Sequence, residues 1–174
     1  MDADILISVQ NLSHYYGKLC AVNNISFEVR RGQVLGFLGP NGAGKSTTMQ
    51  VITGTLSLMS GQVTVAGHNL LENPIAAKAA IGYLPEHPPL YGEMSVTEFL
   101  RFCGRLHRIP QKALKSAVDR AIEQCGLPKV HNRLIRNLSK GFQQRVGIAQ
   151  AIIHTPQVVI LDEPTIGLDP IQIR

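Results

Sequence analysis

Hydrophobic and polar residues alternate in two stretches near the N-terminus of the chain, residues 5–9 and 25–29. A period of two is typical of β-strands that bury one face. Residues 14–18, with a glycine among them, have the composition of a turn. The pattern therefore predicts two N-terminal strands joined by a turn.

Short apolar runs predict further strands. Residues 33–38 form one such run and lead into a glycine-rich loop and a helical stretch, which is the start of a βα unit. Residues 62–65 and 81–84 are two more short strands. Residues 158–161 are all apolar, which is typical of a strand buried on both faces of a parallel sheet.

Helical patterns fill much of the chain between these strands. A helix is expected to start at Asn73-Pro74, and Ser95 and Glu98 have the spacing of a capping box that opens a helix of about ten residues. Residues 111–125 and 139–154 carry apolar stripes of helical period. The outline is α/β, with a largely helical insertion at about residues 86–137.

Composition excludes several classes of protein. With 174 residues and 44% hydrophobic residues, the chain is long and apolar enough for one folded domain. The net charge is +5, but its Lys and Arg residues are scattered, and aromatic residues are only 5% with no Trp. Because base stacking needs aromatic side chains, nucleic acid is not expected as a partner.

Cysteine usage predicts a reducing compartment, and hydropathy predicts neither a signal peptide nor a membrane span. The cysteines number three, an odd count, and form no CxxC motif, while the histidines show no metal-ligand spacing. The N-terminus is acidic where a signal peptide would be basic, and no apolar run approaches the roughly 20 residues that span a bilayer. Any role at a membrane is expected to come through a partner.

Residues 39–47, GPNGAGKST, fit the phosphate-loop pattern GxxxxGK[ST]. Glycines let backbone N–H groups surround phosphate oxygens, and the following helix directs its positive end at the same anion. Lys45 is expected to reach the β- and γ-phosphates, and the Ser46 hydroxyl to bind Mg²⁺. The alternative is a glycine-rich turn with a solvated lysine.

Two further segments suggest chemistry. Asp162 and Glu163 follow the apolar run, at the strand end where open α/β sheets bind ligands, so Asp162 suits Mg²⁺ and Glu163 suits the attacking water. The alternative is an acidic loop start. Residues 138–145, LSKGFQQR, open a helix at Ser139 but keep Gly141 in the first turn, where glycine costs stability. Close approach of the backbone to an anion would explain that glycine, and an ordinary helix cap is the alternative.

Taken in order, these motifs resemble the ATP-binding domain of ABC transporters. Residues 39–47 are similar to its Walker A motif, 138–142 to its LSGGQ signature, 158–163 to its Walker B motif, and 167–169 to its D-loop. The resemblance implies one ABC ATP-binding domain over residues 1–174. It also implies a P-loop NTPase core with a mainly parallel sheet, an N-terminal antiparallel β subdomain and the helical insertion.

The resemblance also implies the ligands and their contacts. Two such domains, as a homo- or heterodimer, would pair head to tail, so that Ser139 and Gly141 contact the γ-phosphate held by the other subunit. Tyr16 would stack on adenine; Tyr15 or ordinary packing are the alternatives. The remaining residues expected to hold MgATP are Gly39, Asn41, Gly42, Gly44, Lys45, Ser46, Thr47, Glu86 and Asp162.

Three departures from the family pattern stand out. Glu86 occupies the place of the Q-loop glutamine, and the signature reads LSKGF. Both are similar to bacterial exporters whose ATPase and membrane subunits are separate chains, in which residues 86–94 would face the membrane subunit rather than form a plain loop. Residues 164–174 contain no histidine, whereas the family continues into a strand that ends in a switch histidine. A fragment or a natural truncation would explain this, and either would leave an apolar sheet edge exposed.

The first functional reading is an ATPase subunit of an exporter, peripheral at the cytoplasmic face of the membrane, in which Glu163 and Lys45 are catalytic. The alternative is a truncated, non-catalytic module that binds ATP and needs a full-length partner. An ABC ATPase acting on nucleic acid or ribosomes is a weaker third option, since it usually needs two such domains in one chain. The transported substrate is not encoded in any of these motifs.

Overall fold

The computed structural model describes residues 4–164, and these fall into two compact units that divide between Ile81 and Gly82. Each unit has its own buried core. The phosphate loop belongs to the first unit, and both the acidic pair and the LSKGF segment belong to the second.

The first unit is built on an antiparallel sheet. Its strands are β1 (Ile5–Tyr16), β2 (Leu19–Arg30), β3 (Ser60–Val65) and β4 (His68–Asn69), in the order β2-β1-β3-β4. β1 is central, so Val9 pairs with Phe27 on one side and Val63 on the other. The expected turn is shorter than residues 14–18: only Gly17 and Lys18 form it, because β1 continues through Tyr16.

The helices of this unit are α1 (Lys45–Ile52) and α2 (Pro74–Ala79). α1 begins directly after the glycine-rich loop, and α2 begins at the expected proline. Val51 of α1 is fully buried, as are Leu12 and Val63 of the sheet. The apolar faces that the sequence pattern indicates therefore do form a core.

The strand predicted over residues 33–38 is wrong. That segment has no regular secondary structure, and Val34 and Leu38 are 95% and 96% exposed. A short apolar run becomes a strand only when a neighbouring strand accepts its backbone hydrogen bonds. Within residues 4–164, the segment takes part in none of the strand ladders. Phe37 is its anchor, packed edge-on against Phe27 at 5.4 Å between ring centroids.

The second unit combines three helices with a pair of strands. The elements are β5 (Ile81–Leu84), α3 (Val96–Leu106), α4 (Gln111–Gln124), a 3₁₀ turn (Ile135–Asn137), α5 (Lys140–Ile152) and β6 (Val158–Leu161). The predicted bounds of these helices and strands are close to the observed ones. α3 begins with the expected capping box, and the three helices enclose a core that includes Leu100, Val118 and Val146.

β6 pairs with β5. Its sequence predicted a strand buried on both faces, and that prediction is wrong. Its residues alternate in exposure, and Val159 is 44% exposed while Val158 and Ile160 are buried. In the part of the chain that the structure describes, only one face of β6 is covered.

Two glycines let α5 approach β5 closely. A β-carbon at Gly82 would collide with the carbonyl oxygen of Ala151, and one at Gly147 would lie 2.6 Å from Leu84 Cδ1. Because both contacts exclude a side chain, α5 is held directly against β5. The helix that carries the LSKGF segment is therefore fixed to the strand pair that carries the acidic residues.

Candidate functional site

The glycine-rich loop is shaped as its spacing predicts. Gly42 and Gly44 have φ angles of +83° and +82°, a conformation that favours glycine. A β-carbon at Gly44 would collide with the carbonyl oxygen of Ala21 and lie 3.1 Å from Val22 Cγ2. The loop therefore packs against β2 at a point where only glycine fits.

Lys45 folds back over this loop. Its Nζ donates hydrogen bonds to the carbonyl oxygens of Gly39 at 2.8 Å and Pro40 at 2.9 Å. The first turn of α1 contains no acidic side chain. The positive charge of the Lys45 ammonium group and the positive end of α1 thus lie at the same loop, which favours binding of an anion such as phosphate.

The other predicted loop residues lie around this point. Asn41 is exposed at the loop, while Ser46 and Thr47 are half-buried in the first turn of α1. Thr48, which the sequence did not single out, is buried, and its Oγ1 donates to the carbonyl oxygen of Gly44 at 2.8 Å. That bond fixes the junction between loop and helix.

The two tyrosines at the end of β1 have different surroundings. Tyr16 is 49% exposed and makes an edge contact with the buried His14 ring, with centroids 5.0 Å apart. His14 pairs with Val22, whose Cγ2 would lie 3.1 Å from a β-carbon placed at Gly44 of the phosphate loop. Tyr15 pairs with Cys20, and a hydrogen bond with that side chain raises the pKa of the Tyr15 phenol. Tyr16 therefore lies beside His14 and Tyr15 beside Cys20, and both tyrosine rings are partly exposed.

The acidic pair at the end of β6 separates into a buried and an exposed carboxylate. Asp162 is 4% exposed, and its backbone N–H donates to the Leu84 carbonyl at 2.9 Å. Burial, together with the negative charge of Asp162, raises the pKa of Tyr83. Glu163 is exposed and has a φ of +52°, a left-handed conformation that is uncommon for a residue with a side chain. A buried carboxylate suits a metal ligand, and an exposed one suits contact with water.

The LSKGF segment caps α5. Ser139 is exposed, and its Oγ accepts a hydrogen bond from the backbone N–H of Phe142 at 3.4 Å. Lys140 beside it is also exposed, whereas Gly141 is buried in the first turn. The ordinary helix cap is therefore present, and the exposed Ser139 leaves the helix N-terminus accessible to an anion.

Two glutamines of this helix escaped the sequence analysis. Gln143 Nε2 donates to the carbonyls of Ile135 and Leu138, at 3.1 and 3.3 Å. Gln144 is buried, and its Nε2 donates to the Pro164 carbonyl at 3.3 Å. The residue letters QQ gave no signal, because only the fold determines which glutamine points inward.

Glu86 lies beyond β5 in an exposed segment. Its carboxylate is 3.9 Å from the ring of His87. Further along this segment, Glu93 accepts two 2.8 Å hydrogen bonds from Arg136 Nη1, and Tyr91 packs edge-on against Phe99. Residues 86–94 are therefore tied to the helices of the second unit at several points.

The site residues divide between the units. Tyr16 and the phosphate loop belong to the first, while Glu86, Ser139, Gly141, Asp162 and Glu163 belong to the second. Residues 167–169, the predicted D-loop, lie outside the described residues. From residue 4 to residue 164, no group of three or more His, Cys, Asp or Glu side chains forms a metal cluster, and no helix combines the length and apolar character needed to cross a membrane.

Comparisons with known proteins agree with these motifs. The family model described as ABC transporter matches residues 22–166. An uncharacterized ABC transporter ATP-binding protein, YxlF of Bacillus subtilis (strain 168), is 39% identical over 95% of this chain and 54% of its own length. The bacitracin transport ATP-binding protein BcrA of Bacillus licheniformis is 37% identical over 97% of this chain and 54% of its own length.

A solved structure shows the same fold. The structure of cbiO1 from Clostridium perfringens, part of the ABC transporter complex cbiONQ, has a TM-score of 0.84 and 30% identity, and the match covers 97% of this chain and 69% of that one. The expected α/β P-loop fold with an N-terminal antiparallel β subdomain is thereby confirmed. The chain spans about half the length of the two curated relatives named above.

Proposed function

We propose, because this chain belongs to the ABC transporter family, that it binds and hydrolyses MgATP to drive export through a separate membrane subunit. The observation that carries the proposal is the phosphate loop: glycines in the left-handed conformation, Lys45 above them and α1 behind them. This arrangement gathers backbone N–H groups and positive charge for a polyphosphate.

Mg²⁺ fits the oxygen donors of two predicted ligands. The Ser46 hydroxyl and the buried Asp162 carboxylate are hard oxygen groups of the kind that Mg²⁺ prefers. Bound with ATP, the ion would neutralise negative charge on the phosphates. Ser46 and Asp162 would hold it, directly or through water.

Lys45 and Glu163 are the proposed catalytic residues. Lys45 would stabilise the charge that develops on the γ-phosphate, and the exposed Glu163 carboxylate would orient and polarise the attacking water. Phosphoryl transfer depends mainly on such positioning and charge stabilisation, so both groups should be needed for turnover.

The proposed function requires a second ATP-binding domain and a membrane subunit. Ser139 and Gly141 would contact the γ-phosphate bound by a second ATP-binding domain, and residues 86–94 would face the membrane subunit at the cytoplasmic side of the membrane. The exposed Ser139 supports the first role, and the exposed Tyr91 supports the second. The relative named for bacitracin transport supports a role in transport. The relatives give the non-catalytic alternative no better support.

Two substitutions test this function separately. Lys45→Ala should weaken MgATP binding by at least about tenfold, since a charge-assisted contact with phosphate is worth roughly 1.5–3 kcal/mol. Glu163→Gln should keep the binding affinity and lower turnover by at least about a hundredfold, as for a lost catalytic base. Titration calorimetry measures the first effect and phosphate release the second.

Lys129→Ala is the control, because Lys129 is an exposed lysine away from these motifs. It should change neither quantity. Unchanged turnover in Glu163→Gln would remove the catalytic role of Glu163, and unchanged affinity in Lys45→Ala would remove the phosphate-loop assignment.

A further inference from the structure

Gln144 is a polar side chain buried in the second unit, only 5% exposed. Burying an amide is unfavourable unless it finds hydrogen-bond partners. Its Nε2 donates to the carbonyl oxygen of Pro164, 20 positions further along the chain. Pro164 directly follows Glu163, so the bond ends one residue from the proposed catalytic carboxylate.

Glu163 needs such support because its backbone is strained. Its φ of +52° is a left-handed conformation that is unfavourable for a residue with a side chain. Hydrogen bonds flank it on both sides: the Asp162 N–H donates to Leu84 of β5, and the Pro164 carbonyl accepts from Gln144 of α5. Backbone groups held on both sides keep the unusual conformation in place.

α5 is well suited to transmit a displacement to this point. Ser139 caps its N-terminus, Gln144 lies in its second turn, and the contacts of Gly82 and Gly147 fix the helix against β5. A ligand that binds at the exposed N-terminus of α5 therefore contacts the same helix that holds Pro164 through Gln144.

We propose that Gln144 is a positioning residue for Glu163, which links the signature end of α5 to the catalytic carboxylate. The inference rests on the proposed function, since it matters only where Glu163 acts on water beside MgATP. Phosphate contact at Ser139 would set the position of α5. The hydrogen bond from Gln144 to Pro164 would then set the position of the backbone at Glu163.

The first test is Gln144→Met, which keeps a similar side-chain volume and removes the donor. We expect kcat for MgATP hydrolysis to fall about tenfold or more, as small misplacements of catalytic groups do, while KM stays within about twofold. Gln157→Ala is the control, because Gln157 is an exposed glutamine just before β6. It should leave both constants unchanged. A kcat for Gln144→Met within about twofold of the unmodified chain would overturn the proposal.

A second variant separates positioning from mere packing. Gln144→Glu has the same shape, but its buried carboxyl donates a hydrogen bond only when protonated. Its kcat relative to the unmodified chain should rise as pH falls from 8 to 6, because protonation restores the donor to Pro164. A constant ratio over that range would contradict the proposal even if Gln144→Met fails to fold.

Hydrogen–deuterium exchange gives a readout that does not need turnover. In Gln144→Met, amide exchange at residues 162–163 should speed up while exchange within residues 158–160 stays unchanged, and equal exchange at 162–163 would overturn the link. Failure of the proposed function looks different. The unmodified chain would then fail to bind or to hydrolyse MgATP, whatever residue occupies position 144.

Discussion

At the residue scale, the end of β1 carries two partly exposed tyrosine rings with different neighbours. Tyr16 is half-exposed and rests against the buried His14, whereas Tyr15 is engaged with Cys20. His14 is 2% exposed, and its Nδ1 is buried without a hydrogen-bond partner within residues 4–164. A ring supported in this way is preset for stacking on a flat base.

Tyr16→Ala should therefore weaken ATP binding about 5- to 150-fold, the loss expected for roughly 1–3 kcal/mol of base stacking. Affinity for inorganic tripolyphosphate, which has no base, should not change. Competition titrations with the two ligands measure both values. Tyr15→Ala is the matched control and should leave the ratio of affinities unaltered; the opposite pattern would make Tyr15 the stacking residue.

Sequence alone predicted the residues whose chemistry depends on neighbours in the chain. Spacing is enough to find the phosphate loop, because Gly42, Gly44 and Lys45 belong to one short segment. Gln144 could not be found this way. Its partner is 20 positions distant, and adjacent Gln143 has the same chemistry but points to other carbonyls.

At the scale of elements, α3 shows how much a local motif can determine. Ser95 Oγ accepts from the Glu98 N–H, and the Glu98 carboxylate accepts in return from the Ser95 N–H at 2.8 Å. These bonds satisfy helix donors that would otherwise lack partners. They also lower the pKa of Glu98, chiefly through the backbone N–H of Ser95.

Ser95→Ala should lower the free energy of unfolding by about 1 kcal/mol, the usual cost of losing an N-cap. Urea unfolding measures the loss. Ser116→Ala is the control, because Ser116 lies on the exposed side of α4 and bonds only a carbonyl of its own helix. An equal loss in both variants would mean that the cap adds nothing beyond helix propensity.

The pH dependence of the same motif follows from the lowered pKa of Glu98. A carboxyl whose pKa is depressed by folding stabilises the protein above its unfolded pKa, and that contribution is lost as pH falls through the folded value. Glu98→Gln should therefore remove part of the loss of stability that begins as pH falls below the unfolded pKa of glutamate, as measured by urea unfolding at a series of pH values.

Strands proved harder to predict than helices for a physical reason. A helix satisfies its own backbone, so its caps and period are written in one segment. A strand depends on what lies beside it, and residues 33–38 and Val159 are the two places where the expected covering is not found among residues 4–164.

At the scale of the whole molecule, the order of motifs predicted the fold and family, while the surface could not be predicted. The side chains of Val34 and Leu38 are almost fully exposed, and Leu19 is 67% exposed. Exposed apolar groups favour self-association. The apolar run at residues 33–38 predicted a strand, but a run of this kind forms a strand only where a neighbouring strand pairs with it.

Val34→Lys should therefore leave the free energy of unfolding within about 0.5 kcal/mol of the unmodified value, as surface substitutions do. It should also reduce self-association, measured by light scattering against protein concentration. Val63→Lys is the contrasting variant, since Val63 is fully buried, and it should unfold the chain. A large loss of stability in Val34→Lys would show that position 34 is covered in solution.

Because the backbone at Glu163 is left-handed, a mutation there can abolish activity without lowering the amount of folded protein. Glycine or asparagine accepts that conformation more readily than glutamate, so a mutation that deletes the carboxylate can relieve strain rather than add it. Such an allele would accumulate as well-folded protein in the cell. A screen for expression level would retain such an allele, and the amount of protein would not reveal that it is inactive.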